Sequence, residues 1–405
     1  MKNIPKGYKK ERNRIIPLDW NFVKINSILV KIGNKVDVKK EESYQQIGIK
    51  SHGKGLFYKE PVTGEELGNK SVFLVEKNCF IVNIVFAWEQ AIGRTTENEV
   101  GMICSHRFPM YTPLDNKVDV DYLVYLFKTS YGKKVLELAS PGGAGRNKTL
   151  GQKEFANSEI LIPNLIEEQK KIIKILYTWD LAIEKQERLI EKKKELKKGL
   201  MQRLLSGKVR LKEYNDTWLS RKIDDILKED KEIAVKSDIN KRLTVRLNLK
   251  GIEKRNTKNI EIEGATTHYV RRAGQFIYGK QNLHKGAFAI IPDELDEYQS
   301  SSDLPAFNFE KDIWPLWFYY YLSRESYYKQ LEKIATGTGS KRIQPKELLD
   351  IKVKVPSYEE QKKIAEIVSL TDKEIELLQK ELEALKIQKK GLMQRLLTGE
   401  VRVKL

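Results

Sequence analysis

KKGLMQRLLSGKVRLK (197–212) returns almost letter for letter as KKGLMQRLLTGEVRVKL (389–405), and this repetition decides how the chain is organised. A second shared phrase precedes each copy: IPNLIEEQKKI (162–172) and VPSYEEQKKI (355–364). Gly199 aligns with Gly391 and Glu167 with Glu359, so both phrases keep one register of 192 positions (391 − 199 and 359 − 167). That spacing is far longer than the roughly 20–50 residues of a solenoid unit. It marks the duplication of a whole domain together with a helix.

Each duplicated segment reads as one long helix. Asn164 and Ser357 suit the N-cap, with Glu167 and Glu360 three residues on at the capping-box spacing. Pro163 and Pro356 discourage an earlier start. Gly207 and Gly399 follow the last apolar pair, where a left-handed residue ends a helix. The expected length is about 40 residues, or about 60 Å. Apolar residues recur every seven positions: Ile172, Trp179 and Leu200, then Leu176, Ile183, Ile190 and Leu204. The second copy gives Ile364, Leu378, Leu385 and Leu392, with Val368, Ile375, Leu382 and Leu396. A heptad seam flanked by Lys and Glu needs a partner helix, and each seam has its mate in the other.

The remaining sequence forms two blocks with the same order of elements. In the first, WNFVKINSIL (20–29) reads as a short amphipathic turn of helix, YQQIGI (44–49) and SVFLVEKNCFIVNIV (71–85) as strands, and KSHGKG (50–55) as a glycine-punctuated loop. Residues 120–139 return to helical period, followed by the loop SPGGAGRNK (140–148) and a strand at 159–162. The second block answers with WLSRKIDDIL (218–227), TVRLNLKGI (244–252), a strand at 276–278, a helix over 315–335, the loop TGTGSKR (336–342) and a strand at 350–355. The frames match while the loops differ, which suggests one job performed on two targets. After the second helix the chain stops, and its continuation is the N-terminus, RIIPLDWNFVKI (14–25), as if a ring had been cut open.

Bulk properties narrow the class. With 405 residues and 40% hydrophobic content the chain is globular, with room for two to four domains. Lacking an apolar run of 18 or more residues and an N-terminal apolar core, it is expected to be cytoplasmic, with no membrane partner. Two cysteines, Cys79 and Cys104, suit a reducing compartment. A formal charge of +18 favours a polyanionic partner, and nucleic acid is the commonest. No catalytic constellation emerges. GGAGRNKT (142–149) has Asn147 where a phosphate-binding loop needs glycine, and the four histidines are too scattered for a metal site. No methyl-donor fingerprint or nuclease carboxylate cluster is legible, so any enzymatic step belongs to a partner.

Over its whole length the chain resembles the specificity subunit of type I restriction–modification systems. The resemblance rests on Ile162, Pro163, Glu168, Gln169 and Ile172 with 200–207, and on Val355, Pro356, Glu360, Gln361 and Ile364 with 392–399. It implies an α+β architecture of two globular α/β target recognition domains, 1–163 and 208–356. Two long conserved helices, 164–207 and 357–405, separate them and pair as an antiparallel coiled coil with pseudo-two-fold internal repeat. Each domain would read half of a split double-stranded DNA target. The helices would set the gap and dock two modification (methyltransferase) subunits, with restriction/translocase subunits as further partners. No cofactor is expected on this chain, with S-adenosylmethionine held by the modification subunits. The first copy has one extra residue between proline and EEQ, an imperfection in the symmetry.

Base reading needs Arg, Lys, Asn, Gln or His on loops that enter the major groove. The first domain offers Gln45, Gln46, His52, Lys54, Arg94, His106, Arg107, Arg146, Asn147 and Lys148. The second offers Arg246, Lys250, Lys254, Arg255, Arg271, Arg272, Lys280, Gln281, Asn282, His284, Lys285, Lys341 and Arg342. Trp88 and Trp314 read as core rather than base-stacking residues. The helix-pair interface is expected to set Ile172, Leu176, Ile183, Ile190, Leu200 and Leu204 against Ile364, Val368, Ile375, Leu382, Leu392 and Leu396, in antiparallel order. Two other classes compete: a coiled-coil scaffold whose domains bind proteins without sequence-specific DNA binding, and an unrecognised nuclease or RNA-binding enzyme.

Overall fold

A computed structural model describes residues 4–142, 148–256, 266–337 and 341–404. The chain divides into two compact units, one of 1–185 with 381–405 and one of 186–380. Both boundaries fall inside helices, which span Ile166–Leu204 and Tyr358–Leu397. Each ends on a left-handed glycine, Gly207 at φ 70° and Gly399 at φ 74°.

The two units are built on one plan. The first holds a four-stranded antiparallel sheet in the order Ile92–Arg94, Phe80–Val82, Met110–Pro113, Leu29–Ile32. The second repeats it as Phe288–Ile290, Phe276–Tyr278, Ala306–Phe309, Leu227–Asp230. The registers match: Phe80 faces Arg94 and Tyr111, and Phe276 faces Ile290 and Phe307. Each central phenylalanine is fully buried against an aromatic of the following helix. Phe80 lies 5.2 Å from Phe127, and Phe276 lies 5.2 Å from Phe318, edge to face. A two-stranded ribbon leads into each long helix, Glu159–Pro163 with Trp20–Lys24 and Lys352–Val355 with Leu219–Lys222.

Local structure departs from the sequence expectation in several places. WNFVKINSIL is a strand, one 3-10 turn (Ile25–Ser27) and a second strand, because its aromatic and β-branched residues pair with the strand before the long helix. The helix over 120–139 is two helices, Val120–Lys128 and Ser130–Leu138. Thr129 breaks them apart by leaving helical geometry and accepting the amide of Gly132 on its hydroxyl. The helix over 315–335 is likewise broken at Arg324, and its last part, Lys329–Ile334, is 3-10.

The EEQ phrase also works differently. Glu168 is buried, and its carboxylate accepts from Trp20 Nε1 at 3.2 Å and from Arg402 at 2.6 and 2.9 Å. In the other unit Glu360 accepts from Trp218 Nε1 at 3.1 Å and from Arg210 at 2.8 Å twice. The acid expected to close the second capping box is thus a buried anchor. The adjacent glutamines tie the helix start to the domain. Gln169 donates to Pro163 and Lys117 carbonyls and accepts the Asp119 amide, while Gln361 donates to Pro356 and Asp312 and accepts the Trp314 amide. Each fills its amide on both sides, which a buried amide requires. The extra residue of the first copy is absorbed here, since Gln169 reaches back six positions and Gln361 five.

Within each unit the two long helices run antiparallel. In the first unit Ile172 and Leu176 share one core with Leu396 and Leu397, and Leu392 packs on its edge. In the second, Met201, Leu204 and Leu205 share a core with Ile364, Ala365 and Val368, with Leu200 at its edge. Ile190, Ile375 and Leu382 are buried, and Ile183 is partly so. Met201, Leu205, Ala365 and Leu397 lie off the heptad lines, because at these ends the helices pack on a globular core as well as on each other. Charged contacts fix the register: Lys193 meets Glu374 at 2.6 Å and Lys197 meets Asp372 at 2.5 Å, while Lys389 pairs with Asp180 in the first unit.

Candidate nucleic-acid interface

A short hairpin projects from each unit, and its turn is built the same way twice. In the first, Ile47–Ile49 pairs with Leu56–Tyr58 around 50–55. In the second, Leu243–Val245 pairs with Ile252–Lys254 around 246–251. Two consecutive residues at each tip adopt left-handed backbone: His52 and Gly53 at φ 62° and 63°, Asn248 and Leu249 at φ 58° and 57°. The loop closes on glycine in both, with the Lys50 amide donating to Gly55 and the Arg246 amide to Gly251. Such turns follow from the right-handed twist of paired strands. Gly48 is needed for close approach, because a Cβ there would come within 2.2 Å of the Phe57 ring.

The tips are not free flaps. His52 and Gly53 amides donate to Glu89 and Gln90 carbonyls, at the end of a 3-10 turn (Ala87–Glu89). Asn248 and Leu249 amides donate to Lys285 and Gly286, at the end of the 3-10 turn Leu283–Lys285. Backbone bonds thus hold the tip against a second loop. The side chains stay available: His52, Lys54, Arg246, Lys250 and Lys285 are exposed. Binding residues carried on loops over a rigid scaffold fit this placement.

The sequence-derived candidates separate on this geometry. His52 and Lys54 stand on one tip, and the Lys148 ammonium lies 5.6 Å over the Trp88 ring, in the 3-10 turn that holds that tip. Arg246, Lys250, Asn282 and Lys285 gather around the other, with Arg246 Nε donating to Glu253 at 2.8 Å. Lys254, the last residue of that hairpin, and Arg255 just past it are exposed, as is Gln281. Lys280 is partly buried, its amide bonded to Asp303. Lys341 pairs with Glu332 at 3.1 Å and Arg342 with Asp303 at 2.9 Å. His106 and Arg107 are exposed on a different turn, where the His106 amide donates to Ser71. Gln45 and Gln46 are half-buried, with backbone carbonyls taken by Ile103 and Lys59. Arg146 and Asn147 lie outside the described residues.

Some basic residues are structural and drop out of the exposed set. Arg271 is buried, its guanidinium donating to Ser300 Oγ and to the carbonyls of Asp230 and Leu304. Burial pulls its pKa down to about 10. Arg94 is half-buried and ion-paired with Asp121, and Arg272 is clamped between Glu232 and Glu297. His284 is buried, and that burial lowers its pKa. Trp88 and Trp314 are only partly buried, each beneath a lysine, Lys148 and Lys362. Lys50 was missed, although it stands where Arg246 stands in the other hairpin and its ammonium lies 5.9 Å over the Phe57 ring. Aligning the two hairpins on their closing glycines would have found it.

Comparison with known proteins places this geometry in a family. The chain is 26% identical to the type I restriction enzyme MjaVIII specificity subunit of Methanocaldococcus jannaschii, covering 98% of this chain and 96% of that one. It is 25% identical to the putative MjaX specificity subunit of the same organism over 98% and 97%. Its fold is similar to that of the HsdS subunit from Thermoanaerobacter tengcongensis, with TM-score 0.59 at 15% identity over 97% of this chain and all of that one. The type I restriction–modification S subunit from M. genitalium gives TM-score 0.53 at 16% identity over 98% of both. Residues 17–192 and 215–386 each match the type I restriction modification DNA specificity domain, so the chain belongs to that family and carries its domain twice.

Proposed function

We propose that this chain is the DNA sequence-recognition subunit of a type I restriction–modification enzyme, each unit reading one half of a bipartite duplex target. The observation that carries this reading is the hairpin tip built twice with the same backbone and different side chains, His52–Gly53 in one unit and Asn248–Leu249 in the other. A constant backbone with divergent side chains suits two readers of different sequences, since base-edge contacts specify and phosphate contacts position. The long helices set the unspecified gap and dock two modification subunits, which bind S-adenosylmethionine and transfer the methyl group. Restriction/translocase subunits complete the assembly in the cytoplasm. This chain itself transfers no methyl group and cuts no DNA. Among the described residues no helix is long and apolar enough to cross a membrane.

The deciding experiment is an exchange. Residues 1–160 are replaced with the first domain of another family member, and the methylated bases are mapped with modification subunits supplied. One half of the methylated sequence is expected to change and the other to persist. A chimera that changes both halves or neither, or methyl transfer by the purified chain alone, contradicts the reading.

A further inference from the structure

Beside the second hairpin lies a cleft of about 500 Å³, lined by Lys194, Lys197, Lys198, Arg324, Lys329 and the hairpin's own Leu249, among others. Five cations line it against one carboxylate, Glu325, which Lys198 and Lys329 share at 3.4 and 2.6 Å. The other two lysines pair with other acids, Lys194 with Glu191 and Lys197 with Asp372. Lys198 and Lys329 keep 73% and 63% of their side chains in solvent, so their charge is available to a ligand. The Arg324 guanidinium is stacked over Tyr321 and Tyr327 at 4.2 and 5.1 Å, which holds it in place.

The same lysines recur in the other unit. Lys386, Lys389 and Lys390 occupy the positions 192 residues beyond Lys194, Lys197 and Lys198. There Lys389 lies 5.5 Å over the Tyr125 ring, Lys128 lies 5.4 Å over the same ring, and Lys128 sits against Gly53 of the first hairpin tip. In the second unit Lys197 lies 5.6 Å over Tyr320. The hairpin tips differ between units, whereas these helix lysines are the same in both. A feature kept in both units matches what two different half-sites have in common, and that is the phosphate backbone.

We propose that Lys194 and Lys198 with Lys329 beside the second hairpin, and the register-equivalent Lys386 and Lys390 on the helix of the other unit, form a sequence-independent track for duplex DNA phosphates. The proposal rests on the DNA-reading function above and adds a site on the long helices themselves. It divides the labour within each unit, with the hairpin reading bases and the helix holding the strand.

The test uses the full-length chain and two duplexes, one containing the sequence methylated in the source and one of scrambled sequence. Binding is measured across a salt series for wild type, for the triple variant Lys194→Gln/Lys198→Gln/Lys329→Gln and for Arg246→Gln/Lys250→Gln. Exposed ion pairs contribute little to stability, so the triple variant is expected to fold, and its circular dichroism checks this. Neutralising three phosphate contacts lowers the slope of log K against log salt by about two to three and weakens both duplexes alike, by at least about tenfold near 0.1 M salt. The methylated sequence stays the same. If the triple variant keeps the wild-type slope while the hairpin variant loses affinity, the track is refuted and the reading function stands. Loss of modification-subunit capture with an unchanged DNA slope makes the cleft a protein dock and also refutes it. Wild-type binding without salt dependence overturns the DNA-reading function itself.

Discussion

Arg402, three residues from the C-terminus, grips the buried carboxylate of Glu168 through two nitrogens, at 2.6 and 2.9 Å, and holds Asp19 with 2.8 Å bonds. Arg210 does the same for Glu360 in the other unit. The tail after the second helix therefore completes the first unit, as the segment after the first helix completes the second. Removing Arg402 leaves a buried anion without its partner, a loss of about 3–5 kcal/mol. Arg402→Ala is expected to lower the denaturation midpoint well below that of Glu168→Gln/Arg402→Gln, where no charge is stranded. Equal midpoints for the two variants would refute the buried-pair account.

A second pair of locks joins helix to domain. Tyr125 donates to Asp180 at 2.6 Å and Tyr320 to Asp372 at 2.8 Å, with Lys389 and Lys197 completing the respective triads. Burial and the neighbouring carboxylate raise both tyrosine pKa values, so the phenols stay protonated as donors. A hydrogen bond to a charged group contributes about 1.5–3 kcal/mol. Tyr125→Phe and Tyr320→Phe are expected to lose about that much each in urea unfolding, and additively, since they lie in separate units.

The hairpin tips give a test of what is read. Replacing KSHGKG (50–55) with RLNGKG, the second tip's residues with Gly53 kept because a Cβ there would come within 2.6 Å of the Lys128 side chain, preserves both left-handed positions and the closing glycine. The exchange is expected to keep the fold and to alter only one half of the methylated sequence. Retention of both halves, seen by mapping methylated bases, would move base reading away from this tip.

Spacing is the province of the helices. Four residues inserted after Ile190 add about one turn, or about 6 Å of helix. With both half-site sequences kept, the unspecified gap is expected to grow by one or two base pairs of about 3.4 Å each. An unchanged gap with full activity would rule out the helix as the spacer, the insert then looping out while the seam re-forms.

Much of this architecture is legible in the residues alone because its signals are local or repeated. Two helices with matching seams, their glycine stops and the duplicated order of strands all follow from periodicity and from one register of 192 positions. The same register holds Asp180 with Asp372 and Arg210 with Arg402, so even the locks left a trace in the sequence.

Only the tertiary structure decided which of two adjacent acids is buried. Glu168 and Glu360 are enclosed, while Glu167 and Glu359 pair at the surface with Lys170 and Lys362. Spacing cannot choose between them, because the choice depends on an arginine 234 positions away and on an indole brought in by a strand. It was likewise the fold that made the start of WNFVKINSIL a strand, through pairing with Glu159–Pro163, and that buried Arg271. Local pattern sets which residues share a face. Long-range packing decides which of those faces meets solvent, because burying a charge is stable only where its partners converge.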